Sequence, residues 1–154
     1  MDAVERIPLD EYFMKIAHVV AQRSTCFRNN VGAVIIKGKH IISTGYNGAP
    51  KGLEHCLDIG CYRKDNNVPS GQKHELCRAV HAEQNAIIQA SLNGASTEGG
   101  TLYCTHSPCI ICTKMIINAK IKKVYYAIGY ADQDNSIKYL NDAGIEVEHL
   151  PLED

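Results

Sequence analysis

The segments His81-Ala82-Glu83 and Pro108-Cys109-Ile110-Ile111-Cys112 decide how this chain must fold. One histidine and two cysteines are three zinc ligands, and a catalytic zinc site keeps its fourth position open for water. Two thiolates offset the charge of the metal, so a bound water can still ionise close to neutral pH. Glu83 is then a carboxylate that can carry a proton instead of binding the metal. The fold must therefore bring these two segments together at one point.

The neighbouring residues predict that both segments lie where helices begin. Ser107 suits a helix N-cap and Pro108 suits the first helical position, so Cys109 and Cys112 are expected on one face of a first turn. A helix N-terminus also favours the thiolate that zinc needs. The side chains of His81 and the glutamate, two positions apart, can converge only near a helix start. A four-ligand zinc ribbon, or a histidine and cysteines buried without metal, would leave the glutamate and the proline without a role.

Hydrophobic periodicity elsewhere predicts strands that alternate with helices after an initial hairpin. Helices are expected over residues 9–24, from the Glu83 segment to Leu92, from Cys109 to Ala119 and over 136–143, and strands over 31–36, 41–46, 101–105, 124–128 and 145–149. A glycine-rich loop, 45–52, ends the hairpin. This alternation is typical of an α/β fold with a mixed sheet and helices on both faces. The chain shows no internal repeat or linker, so a single domain over 1–154 is expected.

The composition is that of an ordinary globular protein. The 154 residues are 45% hydrophobic and 21% charged, and the formal net charge is −1. A nucleic-acid binder normally carries a basic surplus, so a nucleic-acid partner is not favoured. No stretch reaches the ~18 apolar residues that span a bilayer, and residues 1–5 lack the features of a signal peptide. We therefore expect a cytoplasmic protein with no membrane partner, whose seven cysteines are metal ligands or buried thiols.

Four segments resemble those of a known enzyme family, namely 31–36, 43–48, 81–87 and 107–112. The H-x-E…P-C-x-x-C pattern is the signature of zinc nucleobase deaminases. The chain resembles the deoxycytidylate (dCMP) deaminases of the cytidine deaminase superfamily, and bacterial competence-associated members are similar. The cysteine-bearing insertion 53–77 favours the dCMP branch. The resemblance implies hydrolytic conversion of dCMP to dUMP and ammonia by a three-layer α/β/α sandwich with a five-stranded mixed sheet.

Beyond the zinc ligands and the proton-carrying glutamate, the resemblance implies contacts to the substrate. Asn47 is similar to the family asparagine that contacts the nucleotide sugar, although an asparagine before a glycine also suits a turn. Ser107 could contact substrate or only cap its helix. The phosphate could be held by backbone N–H groups near Asn47-Gly48, by Lys51 or by Arg28. The sequence does not decide among these three.

A second group of cysteines and histidines points to another metal. Its candidates are Cys26, His55, Cys56, Cys61, His74 and Cys77, which exceeds the four ligands of a tetrahedral structural zinc. Cys26 and Cys56 resemble the family's positions for a second zinc, and His74 and Cys77 are spaced to reach one metal. We expect Cys26, Cys56, His74 and Cys77 to bind a structural zinc, with Cys61 as the reserve ligand. The alternative is a set of buried thiols and a surface histidine; Cys104 is expected in the core.

The resemblance also implies assembly and regulation. Members of the family commonly form hexamers, so a homo-oligomer is expected. They are often activated by dCTP and inhibited by dTTP near the glycine-rich loop. For this chain, loop 45–52 has the small residues and the lysine that an approaching phosphate needs, but an ordinary turn looks the same.

Two other functions remain open on the sequence alone. The same chemistry could act on another substrate, such as tRNA adenosine, a free base, or another cytosine nucleoside or nucleotide. A tRNA enzyme should be basic around its pocket, and a nucleoside enzyme has no need of the cysteine-rich insertion. A function of another class is an inactive zinc-stabilised binding module, for instance in DNA uptake. Such a module has no need of Glu83.

Overall fold

The computed structural model describes residues 5–26, 29–55, 66–67, 79–129 and 133–152, and the chain folds there into four helices and five strands. In chain order they are α1 (Leu9–Ala21), β1 (Gly32–Lys37), β2 (His40–Tyr46), α2 (Ala82–Leu92), β3 (Thr101–His106), α3 (Ile110–Asn118), β4 (Lys123–Ile128), α4 (Gln133–Asp142) and β5 (Glu146–His149). None of these helices is both long and apolar enough to cross a membrane.

The five strands form one mixed sheet in the order β2-β1-β3-β4-β5. β1 pairs antiparallel with β2 and with β3, whereas β3 with β4 and β4 with β5 are parallel. The hairpin between β1 and β2 turns on Gly38 and Lys39, whose φ angles of 58° and 66° are those of a type I′ turn. Parallel neighbours need crossover connections, which α3 and α4 supply. The carboxyl ends of β3, β4 and β5 therefore meet at one edge of the sheet.

Helices cover both faces of the sheet, because successive side chains of a strand point to opposite faces. On one face lies α1, the one helix of the described residues that packs there, and the buried cluster is Phe13, Met14, Ala17, Val34, Ile36, Tyr103, Tyr125 and Ala127. On the other face lie α2, α3 and α4, and the buried cluster there is Val31, Ala33, Ile35, Ala82, Ala86, Leu102, Cys104, Ile116, Ile121, Val124, Leu140 and Ile145. The arrangement is the three-layer α/β/α sandwich that the sequence predicts, and Cys104 lies in its core as expected.

Asp10 joins α1 to the sheet through two tyrosines. The hydroxyl of Tyr103 donates to Oδ1 of Asp10 at 2.5 Å, and the hydroxyl of Tyr125 donates to Oδ2 at 3.2 Å. The two rings stack with their centroids 4.7 Å apart. Burial and the bond to Asp10 raise the pKa of Tyr103, so its hydroxyl keeps its proton and remains a donor.

The predicted elements are confirmed, with differences at three helix ends, one of which is the start of α4 at Gln133 instead of residue 136. The first helix ends at Ala21 and not at residue 24, because the next three N–H groups bond to carbonyls three residues back in tight turns. The helix of the second zinc-binding segment has Cys109, not Ser107, as its N-cap. The N–H of Ser107 donates to the carbonyl of Ile128 at 2.8 Å. This bond continues the pairing of β3 with β4, so the chain is still extended at Ser107 and the helix begins later.

Candidate active site

The first turn of α2 carries two of the predicted site residues. His81 is the N-cap residue, with an extended backbone at φ −71° and ψ 155°, and Glu83 lies one residue inside the helix. Just before them, Val80 and Gly48 exchange two backbone hydrogen bonds of 2.7 and 3.1 Å. The start of α2 is thereby attached to the segment that follows β2.

Gly45 allows α2 to approach β2 so closely. A Cβ atom at Gly45 would lie 2.3 Å from the carbonyl oxygen of Ala82 and 2.4 Å from the nitrogen of Ala86. Both contacts are to helix backbone, which cannot turn aside as a long side chain can. The glycine therefore sets the distance between the sheet and the helix turn that presents His81.

The first turn of α3 carries the two cysteines, directly after the carboxyl end of β3. Cys109 is the N-cap, and the N–H of Cys112 points to its Sγ atom at 3.5 Å. Cys112 is fully buried, whereas Cys109 is partly exposed. The prediction that both thiols belong to one first turn is confirmed, although the turn begins two residues later than Ser107.

Three side chains from these two turns meet with the geometry of a metal site. The Nδ1 atom of His81 lies 3.1 Å from Sγ of Cys112 and 3.5 Å from Sγ of Cys109. All three ligand atoms lie within 4.8 Å of one another. Tetrahedral zinc, with bonds of about 2.0 Å to nitrogen and 2.3 Å to sulfur, places such atoms roughly 3.5 to 3.8 Å apart. The donor set and its spacing therefore fit one zinc ion with three protein ligands.

The charge of the two thiols also suits a cation. A hydrogen bond from the thiol of Cys112 lowers the pKa of Cys109 to about 3. The same bond, together with burial, raises the pKa of Cys112. The opposite shifts favour loss of one proton from the pair, beside the imidazole of His81. A metal held by both sulfurs displaces the remaining proton.

Glu83 stands beside the ligands and is nearly inaccessible, with 4% of its surface exposed. Burial raises the pKa of its carboxyl group to about 7, and nearby His81 opposes this rise. The carboxyl group also contacts the thiol of Cys112. A buried carboxyl group with a pKa near 7 can both accept and donate a proton at neutral pH, as a general acid–base requires.

The two predicted substrate contacts are both buried. Asn47, 7% exposed, accepts at Oδ1 from the N–H of Val31 at 2.9 Å, and its Nδ2 donates to the carbonyl of Asn29 at 2.8 Å. These bonds use one N–H and one lone pair of an amide that has two of each. Ser107 is 1% exposed and lies two residues before Cys109. Their contact with a substrate stays a prediction.

Most of the predicted second metal site lies outside the described residues. This applies to Cys56, Cys61, His74 and Cys77, and also to the phosphate candidate Arg28. Cys26 is described and is buried, with 7% of its surface exposed. His55 and Lys51 are both exposed.

Sequence reasoning missed three residues that place the ligands. Gln84 accepts a hydrogen bond from the N–H of His81, Asn85 donates to the carbonyl of Tyr46, and Gly45 admits α2 to the sheet. The spacing of His81 and Gln84 is that of a capping box, a signal that could have been found. The other two contacts depend on tertiary packing.

The comparison with known proteins agrees with this geometry. The model of the family described as "Cytidine and deoxycytidylate deaminase zinc-binding region" matches residues 8–128, which include both zinc-binding segments. The chain belongs to this family. The match covers all three ligands and Glu83, so a zinc-binding site built by His81, Cys109 and Cys112 is what the family description leads one to expect.

Individual members of the family are similar over most of the chain. ComE operon protein 2 of Bacillus subtilis is 43% identical over 98% of this chain and 76% of its own length. The deoxycytidylate deaminase of Saccharomyces cerevisiae is 40% identical over 92% of this chain, which spans only 44% of the yeast enzyme. The dCMP deaminase of cyanophage S-TIM5, solved in complex with dCMP and dUMP, is 36% identical with a TM-score of 0.80, over 96% of this chain and 100% of that one.

Proposed function

We propose that this chain is a zinc-dependent deaminase that hydrolyses dCMP to dUMP and ammonia. The observation that carries the proposal is the meeting of His81, Cys109 and Cys112 beside the buried carboxyl group of Glu83. The similarity to the cyanophage dCMP deaminase, which was solved with dCMP and dUMP, supports dCMP as the substrate. The deoxycytidylate deaminase of bacteriophage T4, 36% identical over 90% of this chain and 88% of its own length, supports it as well.

The chain's own residues supply the proton transfers. When bound by the three ligands, zinc acts as a Lewis acid that lowers the pKa of water. Glu83 accepts a proton as water adds to C4 of cytosine, and delivers it to N3 of the ring. It then carries a second proton from the added hydroxyl group to the amine, which leaves as ammonia. A pKa near 7 suits both directions of transfer, and burial keeps bulk water from exchanging these protons.

Substrate contacts form the next part of the proposal. Asn47 follows β2 close to the start of α2, and its amide still has one N–H and one lone pair beyond its bonds to the backbone. We assign it to the sugar of the nucleotide. Ser107 lies directly after the carboxyl end of β3 and two residues before Cys109, and it is assigned to the substrate too. The phosphate is assigned to Lys51 or to Arg28, because the N–H groups of Asn47 and Gly48 already donate to the carbonyls of Val31 and Val80.

A second zinc, with a structural role, completes the proposed metal content. The proposed ligands are Cys26, Cys56, His74 and Cys77, with Cys61 in reserve. The burial of Cys26, five residues after the end of α1, supports it, since a metal there would attach insertion 53–77 to the core. We further propose a single domain over 1–154, assembly into a cytoplasmic hexamer, and regulation by dCTP and dTTP. The hexamer and the regulation rest on the likeness to the family alone.

An assay of ammonia release tests the proposal. Purified protein loaded with zinc is incubated with dCMP, CMP, dCTP, deoxycytidine and tRNA in parallel. We expect turnover to be greatest with dCMP. If tRNA or deoxycytidine is turned over in preference to dCMP, that compound and not dCMP is the substrate. If zinc-loaded protein turns over none of the compounds, the inactive binding module is favoured.

A further inference from the structure

The backbone of the zinc ligand His81 is held by the side chain of Gln84. The N–H of His81 donates to Oε1 of Gln84 at 2.9 Å, while the carbonyl of His81 accepts from the N–H of Asn85 at 2.9 Å. Both polar groups of this peptide backbone are therefore fixed within one helix turn. We propose that Gln84 is a positioning residue for the zinc site, with Asn85 attaching the same turn to the sheet. This inference rests on the proposed zinc function.

The position of His81 makes this bond matter for metal binding. An N-cap residue joins the hydrogen-bond ladder of its helix only through its carbonyl, so its N–H needs a partner that the ladder does not supply. Metal–ligand distances tolerate a change of only ~0.2 Å. A small rotation of the His81 backbone would move Nδ1 by more than that relative to the sulfurs of Cys109 and Cys112, which belong to a different helix. The Gln84 bond restricts this rotation.

Asn85 attaches the same turn to the strand beneath it. Its Nδ2 donates to the carbonyl of Tyr46, the last residue of β2, at 2.8 Å. Gly45, the residue before, leaves room for the helix backbone. Gln84 therefore fixes the ligand within its turn, and Asn85 fixes the turn on the sheet.

The test compares zinc release from three variants of the zinc-loaded protein. Gln84→Met has a side chain of similar length but only a weakly accepting sulfur, whereas Gln84→Glu keeps the oxygen acceptor that a capping box uses. Gln89→Met is the matched control, because Gln89 lies on the exposed side of the same helix. Release is followed with a chromogenic chelator, and hydrogen exchange reports the His81 N–H directly.

We expect Gln84→Met to release zinc roughly three- to tenfold faster than wild type, the effect of one lost backbone bond at an N-cap. Its His81 N–H should exchange faster, while Gln84→Glu and Gln89→Met behave as wild type. Zinc release from Gln84→Met at the wild-type rate would overturn the proposal. An equal loss of Tm in the metal-free and zinc-loaded proteins would also overturn it, because the bond would then serve the helix alone.

Asn85→Leu extends the test if Gln84→Met does not fold. We expect faster zinc release from Asn85→Leu, with the His81 N–H still protected by Gln84. If Asn85→Leu releases zinc at the wild-type rate, the Asn85 bond stabilises only the fold, and the result counts against the proposal. Failure of the wild-type protein to bind zinc through His81 is a separate outcome, since it would refute the proposed function before any variant is compared.

Discussion

The Nδ1 atom of His81 lies 3.1 Å from Sγ of Cys112, and this contact joins the first turns of two different helices. Neither helix alone offers three ligands. The α2 turn supplies nitrogen and the nearby carboxyl group of Glu83, while the α3 turn supplies both sulfurs. Zinc binding therefore reports whether the two turns are packed correctly, and it should also stabilise that packing, because the bound metal favours the folded chain.

Cys112→Ser should lower the zinc content by one ion per chain. A serine hydroxyl is a poor substitute for a buried thiolate, and the remaining pair of ligands cannot hold zinc tightly. Metal content after dialysis at pH 7 checks this. Cys104→Ala is the control, because Cys104 is equally buried but is no ligand; it should cost about 1 kcal/mol in stability and keep the zinc. Full zinc content in Cys112→Ser would mean that another residue completes the site.

Glu83→Gln should keep the fold and the zinc while it lowers kcat by about 10²- to 10⁴-fold. Glutamine has the same shape but cannot accept the proton from water or pass it on. Steady-state turnover of dCMP, measured with the metal content of the same sample, separates the two effects. Glu98→Gln makes the same substitution at an exposed residue and should leave turnover unchanged. Near-native turnover by Glu83→Gln would assign the proton transfers to another group.

The sequence predicts the strands well because their signal is local. Every strand lies within one residue of its predicted start and end, and the three zinc ligands come together as their spacing and residue types require. The order of strands in the sheet is not predicted, since it depends on pairing between distant segments. The N-cap of α3 is predicted wrongly for the same reason: the bond from Ser107 to Ile128 depends on β4, which is not visible in the local sequence.

Gly45→Ala should destabilise the protein and increase the rate of zinc release. The new Cβ would meet the backbone of α2 at 2.3 and 2.4 Å, so the helix must move away from β2. Overpacking of this kind costs about 1–3 kcal/mol or more. Chemical denaturation and zinc release measure the two consequences. Thr44→Ala on the same strand is the control, because Thr44 is exposed. If Gly45→Ala loses stability but holds zinc at the wild-type rate, the distance between β2 and α2 does not limit the site.

Tyr103→Phe should lower the free energy of unfolding by about 1.5–3 kcal/mol, because it removes the shorter of two hydrogen bonds to the carboxylate of Asp10. The pKa of Tyr103 is raised in the folded protein. Its contribution is therefore complete below the unfolded pKa of ~10 and is lost as the pH rises toward the folded value. The difference between wild type and variant should be constant from pH 7 to 9 and shrink above 10. Tyr139→Phe, at an exposed tyrosine, should show no such difference.

The second zinc is tested by removing its proposed ligands one at a time. Wild-type protein should hold two zinc ions per chain after gentle purification, and Cys56→Ser or Cys26→Ser should hold one. Each should also lose stability, because structural zinc binding contributes directly to folding. Cys104→Ser controls for the loss of a buried thiol and should keep both ions. Activity should fall only through a looser pocket, so zinc at the first site and its release rate should change little in Cys56→Ser. One zinc ion per wild-type chain would mean that Cys26 and its proposed partners are packing residues.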